Sequence, residues 1–125
     1  MQILVIEDDG DAADSLAMLL TMKGHSVYIA LDGPEGIQAA TKDRPDVVCI
    51  DIGLPEMDGF AVARAIREIG LKPCLIAITG HGGEVVKRQA IEAGFDHFLV
   101  KPVYYGELER ILVSIRAAII ASRQN

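Results

Sequence analysis

Long apolar runs are missing from this 125-residue chain: half of its residues are hydrophobic, yet no stretch approaches the ~20 residues needed to span a bilayer. A basic leader is missing too, since the chain starts "MQILVIEDD", and the expectation is a soluble, cytoplasmic protein. Positive charge is scarce. Twelve Lys and Arg face eighteen Asp and Glu, a net charge of −6, which disfavours direct binding to nucleic acid or to an anionic membrane. A DNA-related role would have to act through a partner or a further domain. Cysteine is also sparse, and Cys49 and Cys74 sit inside apolar runs without CxxC spacing or a His at ligand distance. They read as small buried hydrophobes, out of register for a disulfide and consistent with a reducing compartment. There is no internal repeat, low-complexity tract or linker. One domain over 1–125 is expected, large enough to bury a core without disulfide or metal staples.

What is present is a regular alternation. Five short apolar runs, "QILVI" (2–6), "SVYIA" (26–30), "VVCI" (47–50), "CLIAI" (74–78) and "HFLV" (97–100), have the near-continuous hydrophobicity of strands covered on both faces. Segments of helical spacing separate them. In the first, Ala12, Leu16, Leu19, Leu20 and Lys23 fall on one arc and Gly24 supplies the stop. The second starts at Gly33-Pro34, the third follows Asp58, the fourth runs from about Glu84 to Ala93, and the fifth fills Gly106 to about Ser122. Alternating strands and helices predict right-handed crossovers, an α/β fold, and a doubly wound parallel sheet of order 2-1-3-4-5 whose switch point lies between strands 1 and 3.

The carboxyl ends of those two strands carry "EDD" (Glu7, Asp8, Asp9) and Asp51. A lone Asp near a turn is commonly a solvated cap, so Asp51 gains meaning only from its companions. Three converging carboxylates would repel one another in a partly desolvated crevice. A hard divalent cation relieves that repulsion, and Mg²⁺ takes one or two carboxylates while keeping waters and substrate phosphate. Lys101, at the end of strand 5, supplies the remaining positive charge, and Thr79, at the end of strand 4, supplies a hydroxyl donor. Each residue has an ordinary explanation by itself. Together they occupy one rim of one sheet and suit phosphoryl transfer to the Asp51 carboxylate, which requires no general base.

In "LVIEDD", "DIGLPEMDG", "AITG" and "LVKPV" the chain resembles the response-regulator receiver domain, the phospho-acceptor module of two-component signalling, from strand 1 to helix 5. The resemblance implies a flavodoxin-like (βα)5 fold. By position it makes Asp51 the phosphorylated aspartate and Glu7 and Asp8 the acidic pair for Mg²⁺ (or Mn²⁺), with Asp8 the direct ligand and the backbone carbonyl of Gly53 a further one. Thr79 becomes the switch hydroxyl, Phe98 the switch aromatic and Lys101 the phosphate-binding lysine, with Lys101-Pro102 cis. The implied donor is a histidine kinase or histidine phosphotransfer protein, and the implied target is an output protein or domain. Turnover of an external substrate is not implied. The run from Ala77 to Val103 is most similar in texture to receivers associated with hybrid sensor histidine kinases.

Departures from the family pattern carry expectations of their own. Glu7 stands where Asp is frequent, which lengthens its reach and makes its metal contact water-mediated. Asp9 is left outside the metal shell. Tyr104 replaces a capping residue, so helix 5 should start loosely, and His97 weakens a reading as a DNA-binding dimer. His81 is either an exposed loop histidine or a group above the site. Val113, Ala117 and Ile120 form a second apolar stripe on helix 5, either scattered surface aliphatics or a homodimer or partner face on the side formed by helix 4, strand 5 and helix 5. Ser15, Met18 and Met22 lie together beyond the core arc of helix 1 and form a candidate docking face. A haloacid-dehalogenase-like phosphatase would place its nucleophile after strand 1, with a second Asp two positions on. Here Asp51 follows strand 3 and is trailed by Gly53. A binding-only module would have lost Asp51, Lys101 or the acidic pair, and all are present.

Overall fold

The computed structural model describes residues 1–124. Its elements, in chain order, are β1 (Gln2–Ile6), α1 (Gly10–Met22), β2 (Ser26–Ala30), α2 (Gly33–Asp43), β3 (Val47–Asp51), α3 (Gly59–Ile69), β4 (Cys74–Thr79), α4 (Glu84–Ala93), β5 (His97–Val100) and α5 (Tyr105–Arg123). The five strands form one parallel sheet of order β2-β1-β3-β4-β5, the expected topology.

Because successive strand residues point to opposite faces, each apolar run feeds two cores. Leu4, Ile6, Val48, Ile50, Leu75 and Ala77 pack with Val62, Ile66 and Ala90 of α3 and α4. Ile3, Val5, Val47, Cys49, Ile76 and Ile78 pack with Leu20 of α1 and Leu108, Leu112 and Ile115 of α5. This is why β1, β3 and β4 lack polar alternation; the edge strand β2 corrects the expectation, since Ser26 and Tyr28 are exposed on one face. Every fully buried Leu or Ile contributes roughly 1.5–3 kcal/mol of transfer free energy, so neither face could be left open to water.

Helix starts follow local chemistry. Asp9, Asp32 and Asp58 sit in extended backbone at the N-caps of α1, α2 and α3 and accept from amides of the first turn. Asp9 is thereby occupied as the cap of α1. Tyr104 begins α5 with no side-chain cap, as expected. The helix 1 arc needs correcting. Leu16, Leu19 and Leu20 face inward as expected, joined by Ala13 and Ala17, whereas Ala12 and Lys23 are exposed. The 3.6-residue spacing admits both arcs, and packing on the sheet settles the rotation of α1. Lys23 instead extends over the ring of Tyr105, 5.2 Å from its centroid.

The strand limits also differ by one residue at two places. β3 runs through Asp51 and β4 through Thr79, paired with Ile78 and Val100 respectively. Both candidate side chains therefore stand on hydrogen-bonded backbone.

Candidate functional site

Four strand ends converge. Glu7 follows β1, and its amide donates to Ala30 O at 3.1 Å, which extends the β1–β2 ladder by one step. Asp51 ends β3, Thr79 ends β4, and Lys101 follows β5 with its amide tied to Thr79 O at 2.7 Å. The Lys101-Pro102 peptide is cis.

Lys101 Nζ donates to Glu7 Oε1 at 3.0 Å and to Asp51 Oδ2 at 3.4 Å. The other Asp51 oxygen, Oδ1, accepts from the Gly53 amide at 3.0 Å. Ligand oxygens of Glu7, Asp8 and Asp51 lie within 4.8 Å of one another. Glu7 is buried and Asp8 exposed, while the Asp51 side chain is 11% exposed, enough for a reactant to reach it. Thr79 is buried and its Oγ1 accepts from the His81 amide at 3.1 Å. That bond leaves the hydroxyl hydrogen free to donate. His81 is exposed in the loop after β4 and touches Thr79 only through its backbone. Phe98 is half-buried on β5 and packs on the core that faces α3 and α4.

The electrostatics follow from this crowding. Burial first, then the hydrogen bond and charge of Asp51, raise the Glu7 carboxyl from 4.5 to about 7 against the opposing pull of Lys101. Burial works against the Lys101 charge, but the hydrogen bond to Glu7 and the nearby carboxylates outweigh it and hold the ammonium above the usual lysine value. Three carboxylates against one ammonium leave a surplus of negative charge. An all-oxygen donor set with that surplus fits a hard divalent cation such as Mg²⁺.

Two contributors were not read from the sequence. A Cβ on Gly59 would lie 2.6 Å from Ile52 Cα and 2.7 Å from Asp51 O, so only glycine lets α3 start against the strand end that carries Asp51. The signal was present as the Gly directly after the cap Asp58. Arg67, in the last turn of α3, donates to Gly94 O, Leu71 O, Pro73 O and the Asp96 carboxylate at 2.9–3.2 Å, and Asp96 in turn accepts from the Leu75 amide. It joins the ends of α3 and α4 to the starts of β4 and β5 and has no sequence signature beyond a basic residue in a last turn.

The family profile for the response regulator receiver domain matches residues 3–113. Among curated relatives, the response regulator MprA of Mycobacterium leprae is 34% identical over 117 residues, which are 94% of this chain and 50% of that protein. The transcriptional regulatory protein PrrA of Mycobacterium tuberculosis is 35% identical over 107 residues, 86% of this chain and 46% of that protein. The chain thus spans about half the length of these relatives. Among solved structures, the N-terminal domain of an uncharacterized protein from Wolinella succinogenes superposes with a TM-score of 0.90 at 33% identity, covering 98% of both chains.

Proposed function

The chain belongs to the response regulator receiver domain family of two-component systems, and from that premise we propose that it accepts a phosphoryl group on Asp51 and relays the change to an output protein or domain. The observation that carries this reading is the meeting of Lys101 Nζ with both Glu7 and Asp51 beside Asp8 at one sheet rim.

In this reading the donor is a phosphohistidine of a histidine kinase or phosphotransfer protein. An Asp51 carboxylate oxygen attacks phosphorus in line, the new O–P bond forms as the P–N bond breaks, and the imidazole leaves with the electron pair. Lys101, whose charge is firmly held, sits against the phosphoryl oxygens, and the Thr79 hydroxyl donates to another. Asp8 and Asp51, the Gly53 carbonyl, and Glu7 through water would hold Mg²⁺, or Mn²⁺ in its place. When bound, the ion supplies positive charge against the phosphoryl oxygens and relieves the repulsion among the carboxylates. The product is an acyl phosphate on the protein itself, so the chain acts as a switch rather than on an external substrate.

Thr79 and Phe98 are the switch pair. A phosphoryl oxygen draws the Thr79 hydroxyl inward, away from the His81 amide, and the half-buried Phe98 turns with the loop. Exposed Val85 and Ile91 of α4, Val100 of β5, and Val113 and Ile120 of α5 support a homodimer or output contact on that side. No helix among the described residues is long and apolar enough to cross a membrane; the cytoplasm is the proposed place of action because it is typical of the family. Intact-mass analysis after treatment with acetyl phosphate tests the chemistry. One phosphoryl group is expected with Mg²⁺, none with EDTA and none in Asp51→Asn. Full labelling in EDTA would overturn the reading.

A further inference from the structure

We propose that the cavity beneath the acidic rim, between the sheet and α1, is a binding site for a small amphipathic cation: a primary ammonium carrying one aromatic or branched apolar group. The cavity measures about 330 Å³, at the lower end of the size range of small-molecule pockets. Its floor is Val5, Cys49 and Ile78 of the sheet, and its walls are Leu16 and Leu19 of α1 with Val103 of the loop before α5. Two residues further along the chain from Val5 and from Cys49 the lining changes character, to Glu7 and Asp51 with Lys101 beside them. Val5 and Glu7 share a face of the sheet, as do Cys49 and Asp51, because strand side chains alternate. Apolar floor and carboxylate rim are thus two ends of one pocket.

The charge of the rim selects the ligand. Lys101 offsets only one of the two carboxylates that line the rim, Glu7 and Asp51, and exposed Asp8 stands beside them, so a carboxylate or phosphate end would meet net repulsion and an ammonium net attraction. A bare metal ion would use the rim and leave the apolar floor unfilled, whereas an amphipathic amine uses both. Cys49 is buried and its thiol is pushed up to about 12 by burial, so it serves as wall and not as a nucleophile, and the binding is non-covalent. An ammonium at the rim competes with Mg²⁺ for the same carboxylates. The ligand would therefore inhibit phosphorylation, and this consequence alone rests on the function proposed above.

The test is titration of the ¹⁵N-labelled full chain in EDTA at pH 8 with 2-naphthylmethylamine and with its neutral counterpart 2-naphthylmethanol. The amine is expected to shift amides around Val5, Leu16, Leu19 and Val103 and to bind about tenfold tighter than the alcohol, with excess Mg²⁺ weakening the amine about tenfold and leaving the alcohol unchanged. Ala12, exposed at the mouth of the same cavity, tests it: Ala12→Leu narrows that mouth and should weaken both about fivefold or more while acetyl phosphate labelling persists. Should that variant fold poorly, Leu19→Phe makes the same test. Equal affinity for amine and alcohol, indifference of the amine to Mg²⁺, or shifts confined to residues away from this cavity would each overturn the proposal. Loss of Mg²⁺-dependent labelling in the ligand-free protein would instead count against the proposed function, since the titration in EDTA does not depend on it.

Discussion

Replacing Glu7 by Gln should make the metal-free protein more stable, and increasingly so as pH rises. Glu7 is 7% exposed and its carboxyl is raised from 4.5 to about 7, chiefly by burial. A carboxyl raised on folding contributes stability that is fully present below its unfolded value and is lost as pH climbs through its folded value. For Glu7 the window runs from about pH 4.5 to somewhat above 7. Moving a carboxyl across that interval corresponds to about 3 kcal/mol between its neutral and charged forms, at about 1.4 kcal/mol for each factor of ten. Gln imitates the neutral form: it keeps an oxygen for Lys101 and an N–H for Asp51 and never charges. Wild type and Glu7→Gln should therefore unfold at similar urea concentrations near pH 5 in EDTA. By pH 8 the variant should lead by roughly 1–2 M, given typical urea dependences for domains of this size. Saturating Mg²⁺ should close much of the gap by stabilising wild type, since ligand at about a hundredfold over its dissociation constant adds about 2.7 kcal/mol. Parallel profiles of the two proteins from pH 5 to 8 would refute the assignment of a strained, desolvated carboxyl to Glu7.

Other perturbations probe separate parts of the molecule. Gly59→Ala forces a methyl against Ile52 Cα and Asp51 O, backbone that cannot yield, and should cost about 2–3 kcal/mol in urea unfolding despite the better helix propensity of alanine; an unchanged midpoint would show that α3 can back away from the site. Arg67→Met strips donors from three carbonyls and the Asp96 carboxylate, and a loss of about 1–3 kcal/mol is expected, moderated by the partial exposure of the pair. On α1, Met18 is 66% and Met22 76% exposed, so Met18→Glu or Ser15→Arg should slow phosphotransfer from the cognate histidine protein by about tenfold or more while acetyl phosphate labels normally. Equal loss with both donors would point to damage of the fold or site. Beryllofluoride in place of phosphate should alter amide exchange across residues 80–104, and an unchanged pattern with the mimic bound would argue against a conformational output.

The linear chain by itself determined the order and kind of elements. Five blunt apolar runs, too short for helices, pointed to a sheet buried on both faces, which holds for β1, β3 and β4, whereas the edge strand β2 alternates and leaves Tyr28 39% exposed. The alternation with helices then implied a parallel sheet with crossovers of one hand; the order 2-1-3-4-5 is one of the doubly wound orders that satisfy this, and the sheet has it. That order placed Glu7, Asp8, Asp51, Thr79 and Lys101 on one rim, and the structure brings them together there. What local pattern could not decide was which of two overlapping arcs α1 buries, since helical spacing marks a stripe but not the rotation of the helix against its sheet. Nor could it show that Asp51 and Thr79 are the last paired residues of their strands, because strand ends are set by the neighbour's hydrogen bonds rather than by the residue itself. Gly59 against Asp51 O, the carbonyls gathered by Arg67, and the cavity between Val5 and Leu19 depend on how the backbone folds back on itself, from nearby turns to the approach of Arg67 to Gly94 O 27 residues away. The raised Glu7 carboxyl belongs to the same class. Its cause is burial beside Asp51, a residue 44 positions away, and only folding brings the two charges into one desolvated corner.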